Sequence, residues 1–257
     1  MADSPLYLII LALSAAFAGA IDAIVGGGGL VQIPALFATL PNTAAATLLG
    51  TNKLAGVWGT TAAAVGYTKK VRLHFQVAVP AAAAAFCLSF LGAYLVAHLP
   101  GMFFRKLLPF ILLTVFVYTA SKKQFGVTHA PIDHGWKVFV LAGLIGAVIG
   151  FYDGFFGPGT GSFLVFAFIR IFGFDFLNAS ATAKVVNVAC NLAALIWFGF
   201  SGHLLWQLGA IMAVCNICGS LIGMRLAMRL GSGFVRKIFL AVVSLLILKT
   251  AYDAFQL

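Results

Sequence analysis

Charge is scarce in this chain. Only 9% of its 257 residues are Asp, Glu, Lys or Arg, and six of these are acidic. A water-soluble domain of this length needs much more polar surface, so a soluble fold is excluded. Cysteine is scarce too. Cys87, Cys190, Cys215 and Cys218 all fall in apolar runs, which excludes a disulfide framework. Cys215-x-x-Cys218 has redox or metal spacing, but no second ligand pair accompanies it, so it reads as two small buried helix residues. The histidines His74, His98, His129, His134 and His203 show no metal-ligand spacing, and we expect no metal and no cofactor. Gly157-x-Gly159-x-Gly161 lacks the Gly-Lys-Ser/Thr ending of a phosphate loop and the strand of a dinucleotide fold. No basic run is interleaved with aromatics in a polar segment, which argues against a nucleic-acid partner.

What is present is apolar length. Hydrophobic residues make up 62% of the chain and mean hydropathy is +1.07. The apolar segments are Pro5–Leu40, Thr43–Tyr67, Phe75–Leu99, Met102–Ala120, Trp136–Phe172, Asn178–Phe200, Leu204–Leu230 and Phe234–Phe255. Most match one helical crossing of about 20 residues. The pattern predicts an all-α integral membrane protein with about eight hydrophobic segments and the lipid bilayer as its main partner. The small-residue run Ala16–Ala20 suggests a signal-peptide cleavage site. The basic leader is missing, however, and this segment has a twin in mid-chain, so we read it as a mature span.

That twin belongs to a duplication. Adding 131 to a position in the first half lands on its mate: Asp22 on Asp153, Gly26 on Gly157, Gly28 on Gly159, Thr51 on Thr182, Lys53 on Lys184 and Gly92 on Gly223. Residues 1–121 form the first repeat, 122–135 the connecting loop and 136–257 the second repeat. Each repeat opens with a long segment broken by glycines, AIDAIVGGGGL in one and FYDGFFGPGTGS in the other. Basic residues sit at different equivalent loops in the two halves. Lys69, Lys70 and Arg72 mark one loop, whereas its mate around Ser201–His203 has no Lys or Arg. Opposite insertion explains that swap, so inverted repeats are favoured over parallel ones.

Irregular backbone survives at membrane depth only inside protein or beside a water-filled cavity. Paired glycine breaks therefore point to a shared central site, with half-helix N-termini aimed at an anion. Close helix packing through small residues is the competing explanation. Lys53 and Lys184 lie well inside their segments, where an ionised lysine is costly unless it meets a partner or a cavity. Lys184, Asn187 and Asn191 share one helix face, matched by Lys53, Gly56 and Thr60. The lysines either hold an anion or form ion pairs with Asp22 and Asp153, and both readings can coexist. On the first reading, Lys53→Ala and Lys184→Ala abolish binding in a folded protein. Bulky residues at Gly28 or Gly159 would likewise block function at normal expression.

At these residues the chain resembles the TauE/SafE sulfite-exporter family, and most of all its YfcA-type bacterial members. The resemblance rests on AIDAIVGGGGLVQIPAL, ATLLGTNKL, GFYDGFFGPGTGSF and ATAKVVNVACNLAAL, and covers nearly the whole length. It implies a multi-pass protein of the bacterial inner membrane that exports sulfite, sulfoacetate or another organosulfonate. The implied substrate site is Lys53, Lys184, Asn52, Thr51, Thr182, Asn187, Asn191, Gly26, Gly27, Gly28, Gly29, Gly157 and Gly159, with Asp22 and Asp153 as proton or ion coupling sites. Asn52 has Ala183 as its mate, so the half-sites are unequal. A secondary transporter of a small anion is the leading function, and an anion channel or an intramembrane enzyme stays open beside it. A homo-oligomer is also open.

Overall fold

The computed structural model describes residues 5–96 and 135–255, with Leu113, Val117, Ser121, Gly126 and 129–131 between them. The expected span Met102–Ala120, most of the expected connection 122–135, and Arg105, Lys106, His98 and His134 lie outside the described residues. The described chain is helical. Its elements are α1 (Pro5–Val25), α2 (Gly29–Thr39), α3 (Ala45–Thr68), α4 (Phe75–Val96), α5 (Trp136–Phe155), α6 (Thr160–Phe172), α7 (Phe176–Phe200) and α8 (Trp206–Phe255). The starts of α1 and α5, α2 and α6, α3 and α7, and α4 and α8 each differ by the 131 residues of the sequence repeat. The long helix α8 leaves helical geometry at Gly231, where φ is +76°. The gap between the apolar segments Leu204–Leu230 and Phe234–Phe255 is thus a break of one residue, in a conformation that only glycine adopts easily.

Each broken segment is a hairpin. Gly26 (φ +81°) ends α1, and the chain doubles back until Gly28 lies against the Ala18 carbonyl and Asp22. Further along α2, Gln32 meets Asn216, which also bonds the Ala15 carbonyl of α1. α2 therefore returns along α1, and α3 starts again in the direction of α1. The same turn in the second half uses Gly157 (φ +89°) and Gly159 (φ +82°).

Inversion is visible where the mates α3 and α7 cross. Gly50 of α3 packs on Phe198 of α7, while Gly56 faces Asn191. Rising numbers on one helix meet falling numbers on the other, so the mates run antiparallel. The halves interlock through small residues. Ala16 and Ala20 of α1 meet Gly219 and Gly223 of α8, and Ala81 and Ala85 of α4 meet Gly146 and Gly150 of α5. The Gly92 contact with Phe151 and the Gly223 contact with Ala20 are repeat mates of one another. Where backbones approach this closely, dispersion and not water exclusion holds the helices together.

Outward faces are apolar. Leu6, Ile9, Leu13 and Phe17 form an exposed stripe on α1, and Trp136, Val140, Leu144 and Val148 form one on α5. Helical spacing on one face and exposure to the surroundings identify both stripes as lipid-facing. Among the described residues, five helices are long and apolar enough to cross a membrane: Leu6–Val25, Phe75–Val96, Trp136–Phe155, Phe176–Phe200 and Trp206–Leu245. α3 is as long but more polar, because α1, α2, α7 and α8 surround it. Cys215 is half-buried and Cys218 exposed on α8, so they are not the buried pair expected, and both thiols are free.

At one end of the bundle His74, His129 and Phe174 form an aromatic cluster, with ring centroids 4.7 to 5.6 Å apart. The histidines are therefore not isolated. His129 also lies 3.9 Å from Asp175. Burial lowers the His74 pKa below its ordinary 6.5, and His129 and Arg72 lower it further. The folded protein thus binds a proton at His74 more weakly than the unfolded chain, which takes one up near pH 6.5. Stability contributed here is complete above that pH and is lost as pH falls towards the depressed native value. The melting temperature in detergent should fall as pH drops below about 6.5, and His74→Phe should flatten that slope.

The packing account gives a second expectation. Gly92→Val and Gly223→Val should lower the yield of monodisperse protein on size-exclusion chromatography. Gly143→Ala, where an added methyl meets nothing within 4 Å, should not. Equal yields for all three would sink the account.

Candidate functional site

Two ion pairs occupy the centre. Lys53 of α3 bonds Asp153 of α5, and Lys184 of α7 bonds Asp22 of α1 at 2.9 Å. Each pair joins the two halves, and each is the repeat mate of the other. Three of the four charges are buried, Lys53 at 6% exposure, Asp153 at 2% and Lys184 at 0%, while the Asp22 side chain is 13% exposed. Thr60 donates a further hydrogen bond to Asp22. An ammonium buried in this way is tolerable only beside its carboxylate. The ion pairing envisaged from the sequence is therefore present, in crossed form.

A cavity opens beside these pairs. It is lined by Asp22, Gly26, Gly28, Gly29, Gln32, Asn52, Lys53, Gly56, Thr60, Asp153, Gly157, Thr160, Gly161, Asn187, Asn191 and Asn216. Every lining residue is polar or glycine. Of the residues expected from the sequence, Asp22, Gly26, Gly28, Gly29, Asn52, Lys53, Asp153, Gly157, Asn187 and Asn191 meet here. Lys184 does not line the cavity; it stands behind Asp22. Thr51 and Thr182 are buried and do not line the cavity. Their hydroxyls bond back to the Thr47 and Asn178 carbonyls, and Thr51 also accepts from the Leu205 N–H. Gly27 packs on Val242, and Gly159 sits at the left-handed start of α6. Neither belongs to the lining. Gln76 and Gln207 are exposed at the helix starts.

Glycine is required here on steric grounds. The hairpin tips touch: a side chain at Gly26 would meet the Gly161 backbone, and one at Gly161 would meet Gly26. Ser162 and Ser180 lock the first tip by donating to the Val25 and Ile24 carbonyls. A side chain at Gly157 would approach Lys53 Nζ at 3.5 Å. Gly28 is wedged against α1, so a bulky residue there disturbs the hairpin itself and not the cavity alone. The N-terminal ends of α2 and α6 both reach the cavity, and both favour negative charge.

Gln32, Thr160, Gly161 and Asn216 were not foreseen. Gln32 and Asn216 carried a signal, since each is a buried amide inside an apolar run. Both break the repeat, with Phe163 and Ala85 as mates, so a search for shared positions passes over them.

A helical membrane protein of inverted repeats, with paired half-helices around a polar cavity, has the architecture of a transporter. The family model for sulfite exporter TauE/SafE matches residues 11–250. The chain is 35% identical to probable membrane transporter protein ORF9 of Sinorhizobium, over 98% of this chain and 96% of that one. It is 34% identical to a probable membrane transporter protein of Haemophilus influenzae, over 91% and 90% of the two chains. It is 33% identical to the Escherichia coli probable membrane transporter protein YfcA, over 98% and 92%. No solved structure matches significantly. The chain belongs to the TauE/SafE family and is a membrane transporter, not an enzyme.

The crossed pairs define a test. Asp153→Asn alone strands a buried lysine and should cost roughly 3–5 kcal/mol of stability. Lys53→Met combined with Asp153→Asn should recover much of that. Lys53→Ala, which leaves Asp153 unpaired, is for the same reason destabilising and not a clean binding variant. A double-mutant cycle read by thermal unfolding measures the coupling. No coupling would refute the pairing.

Proposed function

We propose that this transporter is a secondary carrier of a small anion such as sulfite, sulfoacetate or another organosulfonate. It exports the anion across the bacterial inner membrane and binds it near mid-membrane between the halves. The observation that carries this reading is the polar cavity against the crossed ion pairs, in a chain with so little other charge. Helix N-termini and amide donors suit an anion. The family's description as a sulfite exporter supports the sulfur oxoanion and the outward direction. No nucleotide motif occurs in the chain, so an ion gradient supplies the energy.

The charges of Lys53, Asp153, Lys184 and Asp22 sum to zero. An anion entering beside them therefore adds uncompensated negative charge. A proton taken up by Asp153 frees Lys53, which lines the cavity, to hold that anion, and Asp22 beside the cavity offers a second site for the proton, so protonation of the centre is linked to its occupancy by the cargo. Thr60, Asn187 and Asn191 keep the carboxylates and the cargo in a hydrogen-bonded surrounding while the pairs open.

Thermal shift of the purified protein against sulfite, sulfate, sulfoacetate, taurine, thiosulfate and small carboxylates comes first. A ligand at 100 times its dissociation constant stabilises by about 2.7 kcal/mol. The ligand that shifts the protein should then show saturable counterflow in proteoliposomes, accelerated by a pH gradient. Flux without counterflow would replace the carrier with a channel. No binding and no flux with any anion would overturn the anion reading.

A further inference from the structure

We infer that Gln32 is the residue that recognises the cargo's anionic head, and that Asn216 holds it in the recognising orientation. The inference rests on the anion-carrier reading and adds the group that discriminates. Gln32 lies in the first turn of α2 and is 2% exposed; Asn216 of α8 is 3% exposed. Asn216 Nδ2 donates to Gln32 Oε1 at 3.0 Å and to the Ala15 carbonyl at 3.1 Å. Turning the Asn216 amide would set its oxygen against two other oxygens, so the network fixes its orientation. Gln32 must then present its nitrogen on the other side. There Nε2 is buried, lines the cavity with Asn216 and has no protein partner. A buried donor left without an acceptor is costly, and an oxygen of the cargo removes that cost.

Gly28 and Gly29, at the N-terminal end of α2, line the same cavity as Gln32. The mate of Gln32 is Phe163, whose ring packs edge-on to Tyr152 with centroids 5.5 Å apart, and the mate of Asn216 is Ala85. The amide pair is thus built once, and its mated positions are apolar. The duplicated fold holds one such donor and not two. The cargo it fits has a single head of acceptor-only oxygens, a sulfonate or sulfite, with any remaining part turned towards α7.

The test uses the purified full chain with sulfite, methanesulfonate and methanesulfonamide as probes. The last is a neutral isostere that donates where the sulfonate accepts. Gln32→Leu should weaken methanesulfonate binding by about tenfold or more, the loss expected for a hydrogen bond to a charged group. In Asn216→Asp the carboxylate accepts from Gln32 and turns its carbonyl into the cavity. The preference of that variant should shift from sulfonate to sulfonamide by more than in a Gln32→Leu/Asn216→Asp double variant, which carries the same added charge without the amide. If the wild type binds an anion and Gln32→Leu keeps its affinity, or the single and double variants shift equally, this inference falls and the carrier stands. If the wild type binds none of the probes, both fall. Should Gln32→Leu fail to fold, Gln32→Met takes its place in both comparisons.

Discussion

Everything at the centre of this protein depends on charges that lipid and packed helices cannot solvate. Lys53, Lys184 and Asp153 are buried and Asp22 is half-buried, and each finds its partner in the opposite half. An isolated ammonium there would be expelled or neutralised, so the two halves hold each other in register through these pairs. The pairs also explain why α3 and α7 carry the polar stripes. Each stripe faces neighbouring helices, while Trp58 and Val65 of α3 and Leu192 of α7 stay exposed on the apolar side.

The second constraint is backbone satisfaction. A chain that reverses inside a membrane exposes peptide groups that lipid cannot bond. Here the two reversals are placed against each other. Glycine lets the tips touch, and Ser162 and Ser180 take up carbonyls at the end of α1. The groups still aimed inward line the cavity. The same geometry makes α2 and α6 short, since each returns only part of the way before the next long helix begins.

Much of this was legible in the residues, and the repeat is the reason. A mated Asp, Lys and glycine run in each half states that both halves build one centre. Length and hydropathy gave the helices, and the swapped basic loops gave the inversion. The crossed pairing was not legible, because a sequence shows that Asp22 and Lys53 are both present but not which half supplies each partner. Thr51 stands beside Asn52 and Lys53 in the chain yet bonds back to its own helix, since one position along a helix turns a side chain by about 100°. Gln32 and Asn216 were hidden for the opposite reason. They matter where the halves differ, and the argument from duplication attends to where they agree.

That difference bears on how the halves could work against each other. If an inverted repeat switches access by exchanging conformations between its halves, every contact in one state has a mated contact in the other. The crossed ion pairs satisfy this exchange, because each is the image of the other. The contact between the hairpin tips does not. Gly26 meets Gly161 here, and the mates of those residues are Gly157 and Leu30. The exchanged contact would bring a leucine side chain to a place where backbone now touches backbone. The two states therefore differ in how tightly the tips can close. On the carrier reading proposed above, an ion-pair centre that is symmetric and a tip contact that is not would together favour one resting side, through Leu30 and Gly161 and not through the charges.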